Sequence, residues 1–372
     1  MNKVKILHIQ LLPILSGVQN IMIKLLLGLE KEKYDIYVMS RGDGPLADKV
    51  KECGWTHIPM NCLVREISFK DFYAFYAIYR VIKKLKPDIV HTHSSKPGFI
   101  GRIVARMAKV PLIIHTIHGF SFHGYQNKIS WFFCAVLETL AALFAHYNVS
   151  VNSYEKELAV HRLGFNKNKT LKIFNGIEPY HKQKIYNDIG NHTLNVVSTL
   201  RFSKVKNIIF TVEEAVKIVK NYENVNFTFY GDGELLKKCV SIVEKNHVTD
   251  KIIFKGWVYD IEENLLDYDV FLLNSLWEAM SIAILEAMSV GLPIICSNVK
   301  GNNELVDESN GWLINPRSVN AIEGVINEIL SDKTILIKKG EQSLKKVTTQ
   351  FNYELFISEY KKLYEKVSGG SE

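Results

Sequence analysis

The sequence predicts an α/β chain built as two Rossmann-like, doubly wound parallel-sheet domains that face each other across a cleft. Three observations carry that expectation. Short apolar runs alternate with amphipathic helical stretches, the pattern of strands joined by crossover helices. The pattern stops at residues 178–194 (EPYHKQKIYNDIGNHTL), a polar segment with no apolar period that reads as a linker, and then starts again. At 372 residues the chain is long enough for two cores of ordinary size. The expected domains are therefore 1–180 and 191–350, followed by an amphipathic helix over 351–367.

Taken in order, the first-half strands are KVKILHI, YDIYVMS, DIVHTHS, LIIHTIH, YNVSVN and LKIFN. The second half supplies NVVSTL, NFTFYG, KIIFKG, VFLLNS, PIICSN and GWLI. The opening MNKVKILHIQLLPILSG superficially resembles a signal peptide. Gln10 and Pro13 interrupt its apolar run and no small-residue cleavage site follows, so a strand and a loop are expected. Gly17 ends that loop as a tight turn before a helix from about Val18 to Leu29, where backbone can approach a phosphate closely. The apolar segment WFFCAVLETLAALFA is too short to span a bilayer and carries Glu138, so it reads as a buried helix.

Composition is that of a soluble globular protein, with 47% apolar and 23% charged residues. The five cysteines are scattered, odd in number and without a CxxC pair, which implies a reduced, cytosolic protein with no structural zinc. Charge is uneven. Residues 1–190 hold 26 Lys and Arg against 14 Asp and Glu, a net of +12, whereas 191–372 hold 20 against 25, a net of −5. Either the first half has a solvated basic surface, or it meets something anionic such as a bilayer or a lipid-linked phosphate. Nucleic acid is disfavoured, because the lysines are not interleaved with aromatics in a binding module.

The most informative stretch is Asn274 to Asn298, NSLWEAMSIAILEAMSVGLPIICSN. It reads as strand end, loop, helix, turn and next strand. VFLLNS has the unbroken apolar character of a buried parallel strand, and Gly291-Leu292-Pro293 stops the helix before PIICSN. Glu278 then falls in the loop at a strand's carboxyl end. Ser281 caps a helix that begins at Ile282, and Glu286 lies about one and a half turns in. The two carboxylates are at most about 12 Å apart along the axis, with phosphate-attracting N–H groups between them. One would take sugar hydroxyls, the other a ribose diol. After the strand NVVSTL, Arg201 and Lys206 supply two cations that can hold a diphosphate and stabilise charge as it leaves, with Lys204 as a competitor.

This stretch resembles the E(x)7E signature of retaining, nucleotide-sugar-dependent glycosyltransferases of family 4, with Glu278-Ala279-Met280 and Leu285-Glu286-Ala287-Met288 through Gly291-Leu292-Pro293 in register. Ala279 stands where glycine is usual. The resemblance extends over nearly the whole chain. His118-Gly119 matches a T-x-H-G motif, HTHSS an H-x-H-S loop, FNGIE a P-N-G-I/V-D segment and YGDGELL a G-x-G-x-x-x-x-L segment. Arg201 and Lys206 match a G-R-L-x-x-x-K-G pattern, and KGNNELV a G-G-x-x-E-x-V/I segment. The resemblance implies the GT-B fold, with the last helix crossing back to the first domain, and a UDP-sugar as donor. It implies Glu286 on the ribose, Glu278 on donor-sugar hydroxyls and His118 at the reacting sugar. It further implies Gly231, Glu304 and the backbone near Trp257 and Val258 as donor-binding elements, with Phe120 to Tyr125 shaping the acceptor site. Asn175-Gly176 is read as a turn at positive φ leading into the linker.

Neither a cofactor nor a metal is expected. His91 and His93 share a strand face at metal-ligand spacing, but no carboxylates accompany them. Asp267-Tyr268-Asp269 is formally a DxD motif and reads as structural. The function expected is transfer of a hexose or acetamido sugar to a saccharide, one that is lipid-linked, in capsule, exopolysaccharide or lipopolysaccharide assembly. The expected location is cytoplasmic, peripheral on the inner face of the plasma membrane. Two other classes remain open: a nucleotide-sugar epimerase of the same fold and a non-catalytic sugar-nucleotide-binding subunit. A glycosidase is disfavoured because Glu278 and Glu286 share one element.

Overall fold

The computed structural model describes residues 3–63, 70–120, 128–186 and 193–367. They form two compact units, one running to Asn175 and resuming at Glu354, the other covering Gly176–Tyr353.

The first unit alternates β1 (Val4–Ile9), α1 (Gly17–Leu27), β2 (Tyr34–Ser40), α2 (Pro45–Glu52), β3 (Thr56–Pro59), α3 (Lys70–Leu85), β4 (Ile89–His93), α4 (Ser95–Met107), β5 (Leu112–Ile117), α5 (Lys128–Ala142), β6 (Tyr147–Ser150), α6 (Ser153–Glu157) and β7 (Thr170–Lys172). Its seven strands are parallel in the order β3-β2-β1-β4-β5-β6-β7. β4 and β5 are buried at every residue, because a parallel sheet is covered on both faces. That is why apolar runs, rather than alternating ones, marked the strands.

The second unit continues with β8 (Leu194–Thr199), α7 (Ile208–Asn221), β9 (Val225–Tyr230), α8 (Leu236–Lys245), β10 (Ile252–Gly256), α9 (Glu262–Leu265), β11 (Val270–Leu273), α10 (Ile282–Ser289), β12 (Ile294–Ser297), β13 (Gly311–Ile314), α11 (Ala321–Ser331) and α12 (Thr334–Thr349). Its six parallel strands run β10-β9-β8-β11-β12-β13. In both sheets the order reverses beside the first strand of the unit, and ligands of such sheets bind at the carboxyl ends near that reversal. The final helix, α13 (Tyr353–Glu365), lies almost wholly in the first unit, where Lys33 pairs with Glu365 and Glu30 with Lys361.

All twelve expected strands are present. β3 is additional, an edge strand whose two ends are exposed and which gives no apolar signal. The units divide at Asn175, earlier than the polar segment suggested, because its first half packs on the second unit. Tyr180 and Lys184 donate backbone N–H groups to the carbonyls of Ser289 and Val290, and the Tyr186 hydroxyl donates to the Asp269 carbonyl. Residues 187–192 lie outside the described set. Neither Asn175 nor Gly176 takes positive φ, so the expected turn there is absent; Ile177 instead pairs with Asn352 in a parallel bridge. Asp269 is structural: its carboxylate accepts the Asn195 N–H and pairs with Lys184.

Two further expectations are corrected. Gly17 is not a loop turn but the first residue of α1, preceded by an extended Ser16. α5 is not a buried helix. Ile129, Phe132, Phe133, Val136, Leu140 and Leu143 are exposed along one face, while Ala135, Glu138 and Ala141 face inward. Among the described residues no helix is long and apolar enough to cross a membrane.

Candidate active site

In the second unit the candidate residues gather at the carboxyl edge of the sheet. β11 ends at Leu273, and the loop that follows carries Ser275 and Glu278. The Glu278 carboxylate accepts from the Lys206 ammonium and from the Ser275 hydroxyl, the latter at 2.6 Å. The pair is partly shielded, with the Lys206 side chain 24% and the Glu278 side chain 11% exposed, so it is screened less than a surface ion pair. Lys206 reaches it from a single 3₁₀ turn over Lys204–Lys206; Lys204 is exposed and does not compete.

Ser281 caps α10 as expected, its hydroxyl accepting the Ile284 N–H at 3.4 Å. Ile282 opens the helix, and its first-turn N–H groups have no carbonyl four residues back within the helix. Glu286 is half-buried one turn on. The Glu278 loop is held by Gly301. A methyl there would lie 2.2 Å from the Ala279 carbonyl oxygen and 2.6 Å from that of Glu278. Ala279 itself is buried. Glu304 follows in the 3₁₀ turn Asn302–Glu304, on the same segment.

Two neighbouring loops complete this edge. Gly231, at φ +127°, leaves β9 so close to β8 that a Cβ would meet the Leu200 carbonyl oxygen at 1.8 Å. Its N–H donates to the Gly256 carbonyl, which ties it to the loop bearing Trp257 and Val258. Trp257 is half-exposed, edge-on to Tyr259. Arg201 follows β8. Its guanidinium is exposed and makes no hydrogen bond or ion pair among the described residues.

In the first unit a pocket of about 190 Å³ opens at the carboxyl ends of β4 and β5, lined by Ser94, Ser95, His115, His118, Phe120 and Glu138 among others. Behind it the sheet register sets His8 beside His91. His118 Nε2 lies 3.0 Å from His93 Nδ1, and His93 Nε2 lies 2.9 Å from His8 Nδ1. Burial drives these imidazoles toward the neutral form: His118 is lowered to about 4, His8 to about 3, and His91 and His93 fall well below the ordinary value. Ligand nitrogens of His8, His91 and His93 lie within 4.8 Å of one another, yet all six of their ring nitrogens are engaged in hydrogen bonds within the protein. Deeper still, Arg102 of α4 is fully buried against Glu138 of α5, which also stands 3.5 Å from His115 Nε2. Of the expected acceptor loop only Phe120 is described; residues 121–127, His123 included, lie outside the described set.

Sequence reasoning missed Ser275, Gly301 and His8, the second partner of His93. The first two stand within the motif's own neighbourhood in the chain. His8, Tyr360 and Tyr364 meet the HTH strand only through the fold.

Two Rossmann-like parallel sheets, the second carrying a capped helix and a charged pair at its carboxyl edge, define the GT-B class of glycosyltransferases. The family model "Glycosyltransferase Family 4" matches residues 15–180, and "Glycosyl transferases group 1" matches 185–348. The chain is 34% identical over 385 residues to the Escherichia coli UDP-Gal:alpha-D-GlcNAc-diphosphoundecaprenol alpha-1,3-galactosyltransferase, covering 98% of this chain and 97% of that one. Anabaena Alr3699/HepE in complex with UDP and glucose has the same fold, with a TM-score of 0.84 at 16% identity, over 98% of this chain and all of that one. So does the lipopolysaccharide outer core galactosyltransferase WaaB in its apo form, with a TM-score of 0.74 at 15% identity over 97% and 99%. The chain belongs to glycosyltransferase family 4. It is a glycosyltransferase, which sets aside the epimerase and the non-catalytic subunit.

Proposed function

We propose that this enzyme moves a hexose, with galactose the first to test, from UDP to the sugar of a lipid-linked diphosphate acceptor, with retention at the anomeric carbon. The observation that carries the reading is the grip of Lys206 and Ser275 on Glu278 directly before the capped start of α10. The 34% identical E. coli relative, whose name gives UDP-Gal and a diphosphoundecaprenol-linked GlcNAc, supports the choice of substrates.

In this mechanism Glu286 binds the ribose diol and Glu278 the donor-sugar hydroxyls. The diphosphate lies on the N–H groups at Ser281 and Ile282, with Glu304, Gly231, Trp257 and Val258 framing the nucleotide. As the sugar–phosphate bond breaks, negative charge grows on the leaving oxygen, and Lys206 and Arg201 neutralise it. Lys206 is held near its task by Glu278 and gains a second anion as charge develops. The leaving phosphate takes the proton of the incoming hydroxyl on the same face, which retains configuration. His118 meets the reacting sugar, and Gly17 brings the N-terminus of α1 to the ligand. Two cations and a helix N-terminus supply the charge that a metal would otherwise supply, so the reaction runs without one.

The acceptor's lipid places the enzyme at the cytoplasmic surface of the membrane. α4 packs against both α3 and α5; α5 exposes its apolar face, and α3 exposes Phe72, Tyr73 and Tyr76 with Arg80, Lys83 and Lys84. Aromatic and aliphatic side chains beside cations suit an anionic bilayer.

The test is incubation of the purified enzyme with UDP-galactose, UDP-glucose or UDP-N-acetylglucosamine and a lipid-linked N-acetylglucosamine diphosphate, with EDTA present. The expected product is an α-linked galactoside formed with EDTA in the mixture. A β-linked product would sink retention, and no consumption of any UDP-sugar would sink the donor assignment.

A further inference from the structure

The pocket-lining His118 ends an unbroken chain of hydrogen bonds whose far end is in the last helix. From His118 it passes through His93 and His8, as described, to the Tyr364 hydroxyl, 3.3 Å from His8 Nε2. Tyr364 lies 2.7 Å from His91 Nδ1, His91 Nε2 lies 2.7 Å from Thr116 Oγ1, and Thr116 lies 2.9 Å from the Tyr360 hydroxyl. A neutral imidazole has one N–H and one bare nitrogen, and a hydroxyl has one proton to give. Each link therefore uses one proton, and the direction of one link fixes the rest. A hydroxyl that accepted twice would leave its own proton unbonded in the core, which is costly.

Tyr360 fixes the direction. It is 3% exposed, and Thr116 Oγ1 is the only hydrogen-bond partner of its hydroxyl among the described residues. Its O–H must point there. Thr116 then donates to His91 Nε2, His91 Nδ1–H to Tyr364, Tyr364 to His8 Nε2, His8 Nδ1–H to His93 Nε2, and His93 Nδ1–H to His118 Nε2.

We infer that the Tyr360–Thr116 hydroxyl pair sets the tautomer of His118, so that His118 carries its proton on Nδ1 and offers an N–H donor to its ligand. Nδ1 has no hydrogen bond among the described residues. The group it meets is an acceptor oxygen, such as a sugar hydroxyl oxygen. That this oxygen belongs to the donor sugar rests on the function proposed above; the tautomer does not. Tyr360, Thr116, Tyr364, His91, His8 and His93 are positioning residues, and only His118 touches the ligand.

The experiment is nitrogen-15 spectroscopy of the histidine-labelled full chain at neutral pH without ligand, which separates Nδ1–H from Nε2–H imidazoles. All four histidines of the chain are expected as Nδ1–H. Thr116→Val removes the hydroxyl that donates to His91 Nε2 and should convert half or more of His118 to Nε2–H. Tyr37→Phe, whose hydroxyl donates to Asp35 outside the chain, should leave the spectrum unchanged. Tyr360→Phe leaves Thr116 as a buried hydroxyl with His91 Nε2 as its one partner among the described residues, so the spectrum should hold in that variant. In folded Thr116→Val, turnover of UDP-galactose should fall about tenfold, the worth of one hydrogen bond, while UDP affinity holds. His118 as Nε2–H in the unaltered protein, or no change in a folded Thr116→Val, overturns the inference. A tautomer switch without any turnover of UDP-sugars would leave the positioning intact and remove the donor assignment instead.

Discussion

The two units solve the problem of polar groups near a sheet's carboxyl edge in opposite ways. Beside the buried Arg102–Glu138 pair, the first sets its polar interior with neutral imidazoles, phenols and a threonine, each hydrogen-bonded to the next. The second places a cation and a carboxylate together in a half-shielded loop. A neutral chain has only two directions and holds one of them, so it suits orientation of a ligand. A charged pair can exchange partners when a phosphate arrives, so it suits transient stabilisation of charge.

Acid should separate the two most strongly. His8, His91, His93, His115 and His118 are held neutral chiefly by burial, below the ordinary value of 6.5 that the unfolded chain retains. Their stabilising effect is complete above 6.5. It is lost as pH falls below that value, because the unfolded chain then binds protons that the folded one refuses. The loss continues until the folded values are reached, about 4 for His118 and about 3 for His8. Glu155, raised to about 7 by burial, works the other way: folded, it keeps a proton that the unfolded chain has released, so it gains as pH falls toward 4.5. Five outweigh one. Amides of the first unit should lose hydrogen-exchange protection between pH 6.5 and 5 before those of the second; equal loss in both would break the comparison.

Glu278→Gln removes the charge and keeps the shape. Turnover should fall by roughly a hundredfold to a thousandfold while UDP still binds. Wild-type turnover would remove Glu278 from the chemistry. Gly301→Ala should cost about 2–4 kcal/mol in urea unfolding, because backbone oxygens 2.2 and 2.6 Å from the new methyl must move. It should also lower turnover, since those oxygens belong to Ala279 and Glu278. Arg201→Ala should weaken UDP binding about tenfold by calorimetry and leave the unfolding midpoint where it was, as befits an exposed side chain without protein partners. The smallest effect expected is on the membrane. Phe132→Ser with Leu143→Ser should reduce flotation with phosphatidylglycerol vesicles several-fold and leave solution turnover intact. Undiminished flotation would move the docking face elsewhere.

How much was legible follows the same division. The second unit's site was readable because its parts are close in the chain. Ser281 caps three residues ahead of the N–H it accepts, and Glu278, Ser281 and Glu286 fall within one strand-to-helix passage. Arg201 stands after β8 where its spacing put it, exposed to solvent. The first unit's chain of imidazoles could not be read, because it joins residues up to 356 apart through sheet register and a returning helix. β3 was silent for lack of an apolar pattern. α5 misled because an apolar helix looks alike in sequence whether protein or something else covers its outer face.

The return of α13 has a consequence for the order of synthesis. Tyr360 and Tyr364 complete the interior of a unit whose other residues leave the ribosome before position 176. At roughly 5–20 residues per second, roughly 10–40 s separate the two events, time enough for the whole second unit to emerge. The domain begun first is thus completed only after the other, and its histidines wait for their phenols until the second unit has been made.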